Sequence, residues 1–369
     1  MLDESVYRKR IEQVRRHLES SSADFAFLTP SPNFQYLAGY TYTMYERLTA
    51  LVIGIDNEPQ IIAPSFEVTG QSSHTWIKDF IPWAEDENPY SLVANLVGEK
   101  SGGHSVLLDD STSIGVYWAL ETALGAFAKA NSLSPMINAM RITKSDEEIE
   151  LMKKAGQIIN DAVLKAFGEA SIGMTELEIQ QIVHKEVRRQ GATPTFAAIQ
   201  FGENSAIPHA AASNRELKKG DVVLMDCGCA LDGYNTDMTR VGVVGLPTEE
   251  VKRVYSTVLQ ALETAVENIV PGMACGTADG LARRVIDEAG YGDYFTHRLG
   301  HGIGLEVHEP PYVVRGSSQQ LQPGMCHSIE PGIYLEGKFG IRIEDLACIR
   351  EDGPELLTIT QRDLIQIDQ

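Results

Sequence analysis

GDVVLMDCGCALDGYNTDMTR, residues 220–240, is the stretch that decides how the second half of the chain folds. An apolar run, Val222-Val223-Leu224-Met225, leads directly into Asp226. A carboxylate in that position is at least half buried. A buried charge needs a cation or a proton, because leaving it unpaired costs several kcal/mol. Asp237 lies past Gly233-Tyr234, at a spacing that fits a hairpin returning it beside Asp226. A purely structural alternative stays open here, with Asp226 capping a turn and Asp237 pairing with Arg240.

Similar signals lie downstream. His301 sits in Gly300-His301-Gly302-Ile303-Gly304-Leu305, where the glycines permit close backbone approach. Glu330 ends the run Met325-Cys326-His327-Ser328-Ile329 and precedes Pro331-Gly332. Glu344 lies in Gly340-Ile341-Arg342-Ile343-Glu344-Asp345. Two Asp and two Glu that converge carry four negative charges, which two divalent cations balance. Without metal, each close pair would repel by several kcal/mol, even at an effective dielectric of about 20. Oxygen donors with one imidazole suit Mn²⁺, Co²⁺, Fe²⁺ or Zn²⁺. Two such ions about 3.5–4 Å apart clamp a tetrahedral intermediate. Asp226, Asp237, His301, Glu330 and Glu344 taken jointly therefore favour a dinuclear hydrolase.

Working outward, helix–helix–strands occurs twice. Capping boxes at Ser145–Glu148 and Thr175–Glu178 open the first two helices, the second running to about Gly191. Helices at about 248–270 and 277–290 precede the last strands. The first third reads as an α/β domain with a mixed sheet, opened by a helix over 3–19. The polar stretch 131–135 (NSLSP) is the linker candidate, which divides the chain into 1–135 and 136–369. The overall class is α+β.

Length and composition exclude other classes. At 369 residues the chain suits two domains and a large core. Lys plus Arg is 31 and Asp plus Glu is 51, a net charge of −20, which repels phosphate backbones, so no nucleic-acid partner is expected. The short basic run Lys185, Arg188-Arg189 reads as a solvated helix face. No apolar window is long enough for a membrane span. The charged opening MLDESVYRKRIEQ is not a signal peptide. Five cysteines, an odd number, fit free thiols in a cytoplasmic protein.

The segments at 201–210 (FGENSAIPHA), 220–240, 300–311 (GHGIGLEVHEPP), 323–334 (PGMCHSIEPGIY) and 340–345 (GIRIED) together resemble the pita-bread metallopeptidases. That family contains methionine aminopeptidase, aminopeptidase P and prolidase. SPNFQYLAGY at 31–40 resembles the creatinase/prolidase-type N-terminal domain, which methionine aminopeptidases usually lack. The resemblance implies a C-terminal pita-bread domain with a smaller α/β domain before it. It also implies two divalent ions, Mn²⁺ first and Co²⁺ or Zn²⁺ as alternatives. Asp226 would hold one ion, Asp237 and Glu344 would bridge both, and His301 and Glu330 would complete the second site. Glu330 would also carry the proton from the attacking water to the leaving amine. His209 and His308 match the family's two non-ligand histidines, which bind substrate and stabilise the oxyanion. Arg342 would orient Glu344 or a neighbouring carboxylate. A homodimer is implied as well.

The Xaa-Pro branches cut before proline, and a prolidase must also hold the free proline carboxylate. Many prolidases place an Arg directly after the HExP segment. Here Tyr312 follows His308-Glu309-Pro310-Pro311, and Arg315 comes three residues later. Tyr312 and Arg315 are the substrate-binding candidates. Glu46-Arg47-Leu48 is similar to short bacterial prolidases. Xaa-Pro dipeptidase is the expected activity, with an Xaa-Pro aminopeptidase on longer peptides as its alternative. A non-catalytic binding module would retain no reason for the full donor set. Gly300–Gly304 has the wrong spacing for a dinucleotide loop, and HExxH is absent.

Overall fold

The computed structural model describes residues 2–358 and 361–367. The chain divides into two compact units, Met1–Arg141 and Ile142–Gln369. The first holds α1 (Glu4–Ser21), β1 (Phe25–Leu28), α2 (Pro32–Ala38), β2 (Ala50–Gly54), β3 (Gln60–Pro64), α3 (Val68–Ser72) and β4 (Asp79–Trp83). It continues through α4 (Pro89–Val97), β5 (Ser105–Leu108), α5 (Ile114–Leu124), β6 (Lys129–Ser132) and α6 (Ser134–Arg141). Its sheet has the order β4-β3-β2-β1-β5-β6 and mixes parallel with antiparallel pairs. The expected linker at 131–135 is ordered structure instead. Asn131 and Ser132 pair with β5, and Pro135 sits in the first turn of α6, where its missing N–H costs nothing. The division falls at the end of that helix.

The second unit opens with α7 (Asp146–Glu169) and α8 (Glu176–Arg189), each started by the expected capping box. β7 (Thr193–Phe201), β8 (Val222–Leu231) and β9 (Tyr234–Val244) follow. Then come α9 (Glu249–Asn268), α10 (Cys275–Glu288), β10 (Gly300–Gly302), β11 (Glu309–Val313), β12 (Cys326–Ile329), β13 (Gly332–Leu335) and β14 (Phe339–Arg342). β15 (Asp345–Arg350), β16 (Gly353–Leu356) and β17 (Ile365–Ile367) complete it. One sheet runs β17-β9-β8-β7, a second β11-β10-β12-β15-β16, and β13 pairs with β14.

β8 explains why its sequence is apolar throughout. Val223, Met225 and Cys227 pack with α7 and α8, while Val222 and Leu224 join the core around α9 and α10. A strand covered on both faces shows no polar alternation. Asp226 lies on the Leu224 side, toward the second sheet. Asp232 (φ 49°) and Gly233 (φ 87°) make the two-residue turn, both with the positive φ of a type I′ hairpin. All five cysteines are buried and free. Among the described residues, no helix is long and apolar enough to cross a membrane.

Candidate active site

The β8–β9 register sets the first two carboxylates. Asp226 pairs opposite Thr239 and Asp237 opposite Gly228, so the two Asp share a face as diagonal neighbours. The alternative pairing of Asp237 with Arg240 does not form. Positions three apart on a strand point to opposite faces, and Arg240 pairs with Asp345 at 2.6 Å. The second sheet supplies His301 within β10, Glu330 just after β12 and Glu344 just before β15. A bridge joins the two groups: the Glu344 N–H donates to the Thr239 carbonyl at 3.2 Å, and Thr239 Oγ1 donates to Glu344 Oε2 at 2.7 Å. The glycines around His301 are needed for packing. A Cβ on Gly300 would lie 1.9 Å from the Ser328 carbonyl oxygen, and one on Gly302 2.2 Å from that of Pro310.

Donor atoms of Asp237, His301 and Glu344 all lie within 4.8 Å of one another. His301 Nε2 is 3.7 Å from Asp237 Oδ2 and 3.4 Å from Glu330 Oε1. His301 Nδ1–H donates to the Gly302 carbonyl at 3.0 Å, which leaves the Nε2 lone pair facing those carboxylates. Burial, and then the charge of Glu344 and Asp226, pushes the Asp237 carboxyl well up. Glu344 rises well up through burial and the charge of Glu330. Burial lifts Glu330 to about 7 against the pull of Arg342, and burial with His308 lowers His301 to about 3. Asp226 Oδ1, Asp237 Oδ1 and Glu344 Oε1 are buried without a hydrogen-bond donor. Lone pairs facing lone pairs, with three orphaned oxygens, make a donor set that fits divalent cations.

Arg342 is the cation inside the cluster. It pairs with Asp226 and donates from Nε to Thr239 Oγ1 at 3.2 Å and from Nη1 to the Tyr334 hydroxyl at 2.7 Å. Tyr334 in turn donates to His297 Nε2 at 2.8 Å. Arg342 thus orients Asp226 directly and reaches Glu344 only through Thr239.

His209 and His308 both face the same cavity as the cluster. The His308 ring stands edge-on to His301, with centroids 4.1 Å apart. His209 is held by its loop. Gln200 Nε2 donates to the carbonyls of Ile207 and Ala210, at 3.0 and 2.9 Å, on either side of it. Glu176, fully buried at the start of α8, accepts four hydrogen bonds from that loop's ends. The donors are Phe201 N–H, Asn204 Nδ2, Ser213 N–H and Ser213 Oγ. A Glu176→Gln variant turns an NH₂ group toward two of these donors. Its kcat/KM should fall by about 10²-fold through displacement of His209, with the metal content unchanged. Steady-state kinetics with metal analysis checks this; unchanged kcat/KM would remove the clamp from the account.

Residues 150–351 match metallopeptidase family M24, and residues 10–143 match the creatinase/prolidase N-terminal domain. The chain belongs to metallopeptidase family M24. It is 33% identical to the Xaa-Pro dipeptidase of Lactobacillus helveticus, over 96% of this chain and 98% of that one. Among solved structures, the prolidase from Thermococcus sibiricus superposes with a TM-score of 0.91 at 35% identity, covering 99% of this chain and all of that one. The X-Pro aminopeptidase from Thermotoga maritima gives 0.87 at 30% identity, covering 97% and 99%. Ile142–Gln369 is accordingly an M24 pita-bread domain, and the protein is a metal-dependent peptidase.

The M24 cavity has a volume of about 1080 Å³ and contains residues the sequence did not single out. Tyr312 and Arg315, the substrate-binding candidates, do not line it. Arg298 does, and its guanidinium lies over the Tyr312 ring at 4.5 Å. Tyr312 therefore touches the site through Arg298, and Arg315 is exposed beyond β11. Arg188, read from sequence as part of a solvated face, is exposed as that reading expects and also lines the cavity. His297 and Arg298 carry no motif of their own; their nearness to His301 in the chain was the one available signal.

Proposed function

We propose that this M24 peptidase is an Xaa-Pro dipeptidase. The observation that carries this is Arg298. Among the described residues no carboxylate pairs with its side chain. Its charge is nevertheless felt at Glu330, His301 and His308. A free guanidinium that close to the cluster is matched by a carboxylate two bonds beyond the scissile nitrogen, which is the C-terminus of a dipeptide. Similarity to the Xaa-Pro dipeptidase of L. helveticus and to the T. sibiricus prolidase supports the same reading.

In this reading Asp226, Asp237, His301, Glu330 and Glu344 hold two divalent ions, Mn²⁺ by the oxygen-rich donor set. When bound, the ions polarise the scissile carbonyl and ease ionisation of water. Glu330 takes a proton from the water that adds to the carbonyl carbon. It delivers that proton to the proline nitrogen as the C–N bond breaks. His209 and His308 face the carbonyl oxygen from the two halves of the cavity and stabilise its developing charge. Arg342 holds Asp226 in place, and Arg298 binds the proline carboxylate. The protein acts as a cytoplasmic homodimer, a state that light scattering on the purified protein checks.

The test is hydrolysis of Leu-Pro beside Leu-Pro-Ala, after metal removal and reloading with Mn²⁺, Co²⁺ or Zn²⁺. Leu-Pro should be the preferred substrate, and Arg298→Gln should raise its KM by about tenfold or more. Preference for the tripeptide would make the protein an aminopeptidase instead.

A further inference from the structure

Gln180, His184 and Arg188 stand at i, i+4 and i+8 on α8, one row along the helix, and all three line the active-site cavity. Ile179, Val183 and Val187, each one residue earlier, are the buried anchors that fix which way this row points. Gln180 Nε2 donates to the Ala197 carbonyl at 2.7 Å, which ties the row to the edge strand β7. Ala198, the next residue, pairs with Asp226 across β8. The row therefore starts one strand away from the cluster and runs about 12 Å along the wall to Arg188.

Among the described residues, nothing in the fold uses the polar ends of His184 and Arg188. Among the described residues, Arg188 has no carboxylate partner, although neighbouring Arg189 pairs with Glu186 at 2.5 Å. Among the described residues, His184 has no hydrogen bond to either ring nitrogen, and its buried Nε2 is without a partner. Arg188 is an exposed residue of the cavity lining, so its guanidinium is open to an incoming carboxylate.

We infer that the α8 row is a subsite for an acidic side chain on the residue before proline. The inference rests on the dipeptidase reading. A dipeptide of a neutral residue and proline has one carboxylate, and Arg298 takes it. Arg298 and His308 belong to the second half of the unit, while β7 and α8 form the wall contributed by the first. With proline held against the second half, the preceding residue faces β7 and α8. Thr195, Ala197 and Ala198 line that wall with small side chains beside Phe196, and the cavity of about 1080 Å³ leaves room for a long one. The second free guanidinium is then matched by a second carboxylate, and only a side chain of Asp or Glu carries one. The subsite also offsets locally the repulsion that a net charge of −20 imposes on an anionic substrate.

The test compares Glu-Pro with Met-Pro, which is of similar length and uncharged, on the metal-loaded enzyme at pH 8. Glu-Pro should be favoured in kcat/KM by about tenfold or more, as expected for a charge-assisted contact. In Arg188→Gln that ratio should fall to about one. The same ratio is read without turnover by calorimetric titration of analogues in which the scissile carbonyl is replaced by methylene. Equal rates for the two dipeptides in the wild type, or a preference that survives Arg188→Gln, would overturn the subsite while leaving the dipeptidase reading intact. Cleavage of neither dipeptide beside cleavage of Leu-Pro-Ala would overturn both.

Discussion

A Glu330→Ala variant should fold, accept divalent metal more weakly, and lose Xaa-Pro hydrolysis by about 10³-fold or more. General acid–base groups of this kind contribute about 10²–10⁴-fold. Glu330 is the carboxylate with one oxygen held by Ser328 Oγ at 3.1 Å and 3.4 Å from His301 Nε2, at the edge of the cluster that opens to the cavity. No neighbouring side chain duplicates it. Asp237 and Glu344 are buried deeper, and Asp226 is held by Arg342. Loss of the side chain also removes a carboxyl whose ionisation burial and the charge of Asp226 oppose in the metal-free protein. The metal-free variant should therefore melt no lower than the metal-free wild type. Kinetics at saturating Mn²⁺ with thermal melts of both apo proteins checks the pair of expectations. Near-normal turnover in the loaded variant would sink the proton-transfer role.

The largest stability effect is expected behind the cluster. Arg240 and Asp345 are both 1% exposed in their side chains, and Arg362 Nε meets the other Asp345 oxygen at 2.6 Å. Arg240 Nη1 also donates to the carbonyls of Thr239 and Glu344, at 2.9 and 2.7 Å. Arg240→Met leaves Asp345 with half its compensation and two buried carbonyls with fewer donors. The cost should be about 3–5 kcal/mol in urea unfolding, as for other buried pairs broken on one side. A double variant, Arg240→Met with Asp345→Leu, should recover part of it, since no bare charge then remains. A loss below about 1 kcal/mol in the single variant would show that the network carries little stability.

The hairpin that carries Asp226 and Asp237 was legible because its information is local. Val222 to Met225 mark a strand covered on both sides, and the spacing from Asp226 to Asp237 implies a return. The strand period could have gone further: Asp237 and Arg240, three apart, point to opposite faces, so their pairing was never available. The stretch 131–135 is strand and helix rather than a linker for a local reason too. Ser134-Pro135 resembles loop composition, yet the same pair is what a helix tolerates in its first turn. Composition and spacing brought the five donor residues together but did not show which side chains support them. That Glu344 would meet Thr239, or that Glu176 would clamp the loop of His209, depends on two sheets and a helix coming together. Arg188 and Arg298 were missed on the same ground. An arginine's sequence neighbours do not say whether a carboxylate reaches it across the cavity, and among the described residues none pairs with either.

The Thr239–Glu344 bridge makes the reactive centre a seam. Asp226 and Asp237 come from the chain before α9, and His301, Glu330 and Glu344 from the chain after it. Neither portion alone holds a complete donor set. In the proposed reading, ions held by this seam would act as a clasp between the portions, so occupancy would report on assembly as directly as on catalysis. A polypeptide nicked between Val244 and Glu249 would regain hydrolysis only when its two fragments dock again. The appearance of product would then time that docking.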